Sequence, residues 1–463
     1  MVRSILAAIE QIKSEVAHWL TADSILEVCH AVHHVWRDRV LDPVATVHLF
    51  ILQVLHGNTA CAHVPRLGAL DCSAGAYCQA RGRLPRSVLE GVLKNVATSL
   101  PVRGEQAQEG RWHGHRTFLL DGSSVSMPDT PDLQKEFGQP GAQKKGCGFP
   151  VMHLLAMFDA ATGFLIRMVS SPLRTHDMSQ IPHVHPDLSK GDVLVGDRGF
   201  SSFVHLALLK TRGILGLFRV HQKQIVSFRP HRLSSSQAKR RCKAKGRRGR
   251  IQGPKGRPTS RWVRRLGKHD QLVEYVKPKK APDWLEDAEH AKLPDVLLVR
   301  EVRYTIPERG RRTRCITLAT TLIDAEKYSA ADLAELYGQR WQIELNFRHL
   351  KQTLRMDVLR CKSVEGVRKE LLVYALVYNL VRLVMLKAAQ EQGVPVERIS
   401  FVDAVRWLAS ALDQVPVLRL RTNPYRPGRW EPRAVKRRPK EYDRLNKPRK
   451  VLRKLLLAKR DKA

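Results

Sequence analysis

Two aspartates stand where apolar runs end: Asp121 in TFLLDGSS (Thr117–Ser124) and Asp197 in VLVGDRGF (Val193–Phe200). A strand closing in Asp-Gly or Gly-Asp brings its carboxylate to the sheet edge, where glycine lets the backbone turn and a ligand approach. Taken singly, each reads as a turn former or helix cap, and Asp129 in SMPDTPD is read as a turn residue. A third carboxylate changes the picture. In YGQRWQIELNFRHLKQTL (Tyr337–Leu354), a helix advancing about 100° per residue places Tyr337, Arg340, Glu344 and Lys351 at roughly 0°, 300°, 340° and 320°. All four share one face. Leu336, Ile343, Phe347, Leu350 and Leu354 fall between about 220° and 280°, an apolar stripe beside the ionisable one. If that stripe packs on a sheet, Asp121, Asp197 and Glu344 converge from distant points of the chain. Three carboxylates in a basic protein suit a pair of Mg²⁺ ions, offering hard oxygen ligands while leaving positions for water and phosphate. Two such ions about 4 Å apart serve an in-line phosphodiester displacement. Arg340 and Lys351 would neutralise phosphate oxygens, and Tyr337 would donate a hydrogen bond to another. The plainer alternative is an exposed helix with an internal Arg340/Glu344 pair at i,i+4.

The composition sets the context for that site. The 463 residues carry 80 Lys+Arg against 44 Asp+Glu, a formal charge of +36, with an ordinary hydrophobic fraction of 43%. The excess is clustered. No acidic residue occurs between Arg198 and His269, where KRRCKAKGRRGR (Lys239–Arg250) is densest, and a second basic concentration runs from Arg426 to the end. Trp262 and Trp430 lie near these runs, and phosphates want Lys/Arg as unstacked bases want aromatics, so the expected partner is nucleic acid. A single such run would read as a solvated surface. The 8 cysteines never form a C-x-x-C pair, which argues against structural zinc and a disulfide framework. The histidines of WHGHR (Trp112–Arg116) lack a second ligand pair and are read as polar loop residues. The N-terminus meets charge too early for a signal peptide, and LLVYALVYNLVRLVML (Leu371–Leu386) holds Asn379 and Arg382; it is expected to be a buried helix rather than a membrane span. A cytoplasmic protein with no membrane partner is expected.

The elements that must position the site follow from patterning. Residues 1–110 read as helices, among them SILAAIEQIKSEVAHWL, DPVATVHLFILQVLHG and PRSVLEGVLKNVATSL, with capping residues or proline at their starts. From about residue 111 short apolar runs take over, and VMHLLAMFDAATGFLIRMV carries a turn signal, Asp159–Gly163, between two arms, the pattern of a hairpin. SFVHLALLKTRG reads as a helix ending at glycine. Residues 217–318 read as a basic, strand-rich insertion, residues 319–395 as a helical half, and 396–463 as a basic tail.

The spacing of Tyr337, Arg340, Glu344 and Lys351 resembles the Tyr-Arg-Glu-Lys signature of bacterial cut-and-paste transposases of the insertion-sequence-four type. GDRGF (Gly196–Phe200) resembles that family's second-aspartate motif, and LLDGSSVSMPDT (Leu119–Thr130) its first. The resemblance covers roughly residues 60–390. It implies an α/β fold: a ribonuclease-H-like catalytic domain in two parts, 111–216 and 319–395, interrupted by the insertion and preceded by a helical domain that binds DNA ends. It implies that Asp121, Asp197 and Glu344 form a DDE triad binding two Mg²⁺ or Mn²⁺ ions, and that Tyr337, Arg340 and Lys351, with Arg198 beside the second aspartate, contact phosphates. It further implies nicking at the transposon ends, cleavage through a hairpin, and joining of the 3′ ends to target DNA. In hairpin-forming relatives a tryptophan of the insertion stacks on a flipped base; Trp262 and Trp284 are both candidates. The expected partners are double-stranded terminal inverted repeats and target DNA, with a homodimer in the DNA-bound complex. The alternative is a metal-dependent nuclease or a non-catalytic DNA-binding protein derived from a transposase.

Overall fold

The computed structural model describes residues 20–98, 111–244, 257–306, 315–409, 419–424 and 447–460. All but Leu20 of the expected helix over residues 4–20, the centre of the first basic run, and most of the tail with Trp430 lie outside the described residues.

The chain opens with helices α1 (Ala22–Ala31), α2 (Pro43–Leu55), α3 (Val64–Leu67), α4 (Ala74–Arg83) and α5 (Arg86–Thr98). The starts of α2 and α4 are set locally. Asp42 Oδ1 accepts the Ala45 N–H at 2.7 Å with Pro43 in the first turn, and Ser73 caps α4 through the Ala76 N–H at 3.1 Å. Nearly all of α2 is buried, so it forms the centre of this helical head. The head is not set apart from the rest of the chain. Its core residues, Ile25, Phe50 and Val88 among them, join one apolar cluster with Leu119 and Val195 of the sheet and Tyr374 of a long helix. Polar contacts tie the same junction: Asn58 Nδ2 donates to Glu370 Oε1 at 2.6 Å, and Lys369 Nζ to the Gly82 carbonyl at 3.0 Å.

A nine-stranded mixed sheet carries everything else. Its strands are β1 (Thr117–Ser126), β2 (Val151–Asp159), β3 (Leu165–Pro172), β4 (Val193–Gly196), β5 (Leu215–Arg219), β6 (Arg261–Gly267), β7 (Asp270–Val276), β8 (Val296–Thr305) and β9 (Cys315–Thr320). They lie in the order β3-β2-β1-β4-β5-β9-β8-β7-β6. β1 pairs antiparallel with β2 and parallel with β4, and β4 pairs parallel with β5. The β2–β3 hairpin turns where the sequence predicts it: Asp159 Oδ1 accepts from the Thr162 N–H (2.7 Å) and hydroxyl (2.6 Å), and Gly163 takes φ +71°. The inserted strands extend this same sheet, because β9 returns antiparallel to β5. The boundaries expected at residues 217 and 318 therefore fall inside β5 and β9, paired neighbours whose partnership no local pattern reveals.

The remaining helices are α6 (Pro131–Phe137), α7 (Phe203–Thr211), α8 (Ser235–Ala244), α9 (Asp287–Lys292), α10 (Ala330–Gln339), α11 (Trp341–Arg348), α12 (Val364–Gln392), α13 (Phe401–Ala409) and α14 (Arg449–Arg460). Side-chain alternation assigns them to faces. Leu119, Val195, Leu217 and Leu318 face the head and α12, while Phe118, Leu120, Leu194 and Phe218 face α7 and the 3-10 turn Asp177–His183. Among the described residues α12 is the one helix long and apolar enough to cross a membrane, and most of its apolar length is buried within the protein. Asn379 explains its polar interruption: its side-chain oxygen accepts the Leu165 N–H at 2.8 Å and its amide donates to the Leu165 carbonyl at 2.9 Å.

Candidate active site

The parallel pairing of β1 with β4 runs from Thr117↔Val193 to Leu120↔Gly196. Asp121 and Asp197 are the next residues on each strand. Equal register on parallel strands sends both side chains to one face, that of Leu119 and Val195. β1 itself does not end at Asp121, as its apolar run suggested; it continues along β2 to Ser126, and what stops at Leu120 is the pairing with β4.

The Asp197 turn is built by GDRGF. A Cβ on Gly196 would lie 2.9 Å from the Phe200 ring and 3.2 Å from that of Phe218, so only glycine lets Phe200 fold back into the core. Phe200 is buried, and its carbonyl meets His205 Nδ1 at 2.9 Å. Arg198, between these anchors, is exposed and donates to Gln222 Oε1 at 2.6 Å.

The third carboxylate comes from a helix that is not continuous. α10 opens with a reciprocal capping box between Ser329 and Asp332 and ends at Gln339; α11 begins at Trp341, and a π-helical turn, His349–Thr353, follows. The single uniform wheel predicted from sequence is corrected here. The break at Arg340 turns Tyr337 inward, where it is buried, and Lys351 sits in the π turn, its Nζ donating to the Ser124 carbonyl at 2.8 Å. The apolar stripe behaves as expected: Ile343, Phe347, Leu350 and Leu354 are buried, and Phe347 meets Phe158 of β2 edge-on at 5.7 Å. That packing sets Glu344 facing outward, with 53% of its side chain exposed.

Arg340 joins the parts. Its Nη1 lies 3.3 Å from Asp121 Oδ2 and its Nη2 3.7 Å from Glu344 Oε1, while the guanidinium lies 5.1 Å over the Trp341 ring. The i,i+4 pair of the plainer reading is thus present, but it reaches on to the sheet. Asp121 Oδ1 accepts the Gly122 N–H at 2.8 Å. Burial pushes the Asp121 carboxyl up to about 6, with the Asp197 and Asp177 carboxylates adding to the rise against the Gly122 N–H and Arg340.

Asp177 was missed by sequence reasoning. Its carboxylate lies against Gly122, where a Cβ would come within 2.7 Å of Oδ1, and His153 Nε2 stands 3.1 Å from the same oxygen. Burial raises its carboxyl, against the lowering pull of His153 and His176. Gly122 was the available signal, since a glycine after the aspartate marks a close approach, but the sequence does not say by what. Trp341, an exposed ring beside Arg340, was also missed; its place between Arg340 and Gln342 was the available signal. The two insertion tryptophans are not gathered at the carboxylates. Trp262 stands on the edge strand β6 with its ring 4.4 Å from that of His231, and Trp284 packs against the core cluster on the α7 face. Five strand steps separate β6 from β4, about 24 Å at about 4.8 Å each.

The family described as the transposase DDE domain matches residues 112–380, more than half of the chain and all of the strands and helices just described around the carboxylates. The chain belongs to the DDE transposase family. Over 386 residues the transposase is 24% identical to the transposase InsG for insertion sequence element IS4 of Escherichia coli strain K12, covering 79% of this chain and 77% of that relative. It is 26% identical over 140 residues to the putative transposase InsZ of the same organism, covering 30% of this chain and 46% of InsZ. Among solved structures it is similar to a piggyBac transposase synaptic complex with hairpin DNA, at TM-score 0.41 and 11% identity, covering 84% of this chain and 77% of that one. The protein is a DNA transposase of the insertion-sequence-four type, an enzyme that cuts and rejoins phosphodiester bonds of DNA with the help of a divalent metal ion.

The residues present fit a divalent cation. Asp121 and Asp197 offer hard oxygens at neighbouring register positions, and the Asp121 oxygen not held by Gly122 already faces a positive charge. Among the described residues no three His, Cys, Asp or Glu side chains are grouped closely enough to hold an ion as they stand; the Arg340 guanidinium spans the interval between Asp121 and Glu344.

Proposed function

We propose that Asp121, Asp197 and Glu344 are the catalytic triad of this transposase and hold two Mg²⁺ or Mn²⁺ ions per active site. The observation that carries this is the Asp121–Arg340–Glu344 bridge beside the Asp121/Asp197 register pair. When bound, the ions would activate the attacking oxygen and stabilise the leaving one. The chain's own groups do the rest. Arg340, freed from the carboxylates, and the exposed Arg198 bind non-bridging phosphate oxygens; Lys351 holds the β1 backbone beside Asp121 and adds positive charge for the strand that passes it. Tyr337, buried under Arg340, supports that arginine from below and offers its hydroxyl to a terminal phosphate.

The first five strands, ordered β3-β2-β1-β4-β5 with three antiparallel and two parallel to the first, support a ribonuclease-H-like catalytic unit, with the residues between β5 and β9 as its insertion. On this basis residues 1–110 read terminal inverted repeats, the ends are cut through a hairpin and joined to target duplex, and two copies pair the two ends in the bacterial cytoplasm, on the nucleoid. Trp262, on a basic edge strand beside Arg261, Arg264 and Arg265, suits a flipped base better than Trp284, which packs on the core.

The test is cleavage of a labelled duplex carrying the element's end, with Mg²⁺. Glu344→Gln should retain end binding and fall below about 1% of the wild-type rate. Cleavage that survives the change removes Glu344 from the triad.

A further inference from the structure

Residues 129–146, between β1 and β2, and the C-terminal helix α14 enclose a groove of about 1240 Å³. α14 is seated there by three contacts. Pro448 lies against Gly146, Arg449 Nη1 stands 3.1 Å from Asp129 Oδ2, and the Arg449 guanidinium lies 4.3 Å over the Phe149 ring. The two acids of the groove wall are already engaged, Asp129 by Arg449 and Glu136 by Arg368. What remains is positive: Lys135, Lys145 and Arg174 from the body, and Lys450, Arg453 and Lys454 from the helix. The helix residues recur at i, i+3 and i+4, so they form one face of α14 and turn it toward the body's cations across the gap.

Six like charges around one cleft repel one another, and a ligand with one or two charges would leave most of them unmatched. A polyanion matches them, and duplex DNA carries one negative charge per about 1.7 Å of axis. The groove is also placed for the substrate. Its wall begins at Asp129, eight residues beyond Asp121 on the continuation of β1. At about 3.3 Å per extended residue that is no more than about 27 Å, within one turn of duplex of about 34 Å.

We propose that this groove binds the sugar-phosphate backbone of the DNA duplex within one helical turn of the cleaved phosphate, with α14 and the 129–146 segment as its two walls. The proposal rests on the transposase reading, and it adds a binding site that neither the triad nor the basic insertion supplies.

The test uses full-length protein carrying Glu344→Gln, so that DNA is bound and not cut, and a random-sequence duplex of about 30 base pairs, the salt dependence of binding being followed by anisotropy. Replacing Lys450, Arg453 and Lys454 by Gln should lower the slope of log K against log salt by about 2–3. Replacing Lys135, Lys145 and Arg174 by Gln, on the other wall, should do the same. Replacing Lys190, Lys210 and Arg212 by Gln, at the N-terminal ends of β4 and β5 and so at the opposite end of the strands from Asp129, should leave it unchanged. Unchanged slopes for both groove triples overturn the proposal. A fall from the helix triple alone overturns it too, since that would assign binding to α14 rather than to the groove. Failure of the transposase reading is separately visible, as absence of Mg²⁺-dependent end cleavage by the wild-type chain while the slopes still differ.

Discussion

Arg340 contacts Asp121, 219 residues away in the chain, at 3.3 Å, and Glu344, one helical turn away, at 3.7 Å. The side chain is buried, and its Nε has no hydrogen-bond partner. A guanidinium held this way by two carboxylates stands where positive charge is needed, and it must give way before that charge can be supplied by anything else.

Arg340→Gln should therefore tighten Mn²⁺ binding by the DNA-free protein, by about tenfold, or about 1.4 kcal/mol. Electron paramagnetic resonance titration of free Mn²⁺ reads this without any turnover. Weaker binding in the variant would mean that Arg340 orders the carboxylates instead of competing for them.

Gly196→Ala should cost about 1–3 kcal/mol of stability, because the added methyl meets the Phe200 and Phe218 rings inside van der Waals distance. The displaced ring carries the Asp197 turn with it, so end cleavage should drop at least tenfold while DNA binding is kept. Urea denaturation and a gel-shift assay measure the two effects; a denaturation midpoint equal to wild type would contradict the packing account.

A third prediction concerns pH. His185 and His205 are buried, stacked at 5.3 Å, and held neutral: burial lowers His185 to about 3, with His205 and Arg212 adding, and lowers His205 to about 4 against the Phe200 carbonyl. Their folded values lie below the ordinary histidine value, so the unfolded chain binds more protons. Stability from the pair is full above about pH 6.5 and is lost as pH falls toward the folded values, by about 2 kcal/mol per histidine at pH 5. In urea titrations between pH 7 and 5, His205→Gln should lose stability less steeply than wild type. An equal slope would show that the ring is charged in the native protein.

How much of this was legible in the sequence depends on how local the cause is. The β2–β3 turn was readable because Asp159, Thr162 and Gly163 make it among themselves. The packing of Phe347 and Ile343 was readable because helical period fixes which side chains share a side. The break at Arg340 was not: Gly338 weakens the helix there without fixing where it turns, and the π turn beyond changes the angular step. The burial of Tyr337, on the N-terminal side of that break, was not legible either. The union of β5 with β9 and the approach of Asp177 to Gly122 arise from long-range pairing, about which neighbouring residues carry no information.

The unbroken sheet has a geometric consequence. Adjacent strands are rotated by about 20–25° in a fixed hand, and five such steps lead from β4 to β6. The rotation accumulates to about 100–125°. By that twist the edge strand that carries Arg261, Trp262, Arg264 and Arg265 runs nearly crosswise to β4, the strand that leads into Asp197. A straight duplex laid along that edge would cross the β4 strand rather than run beside it.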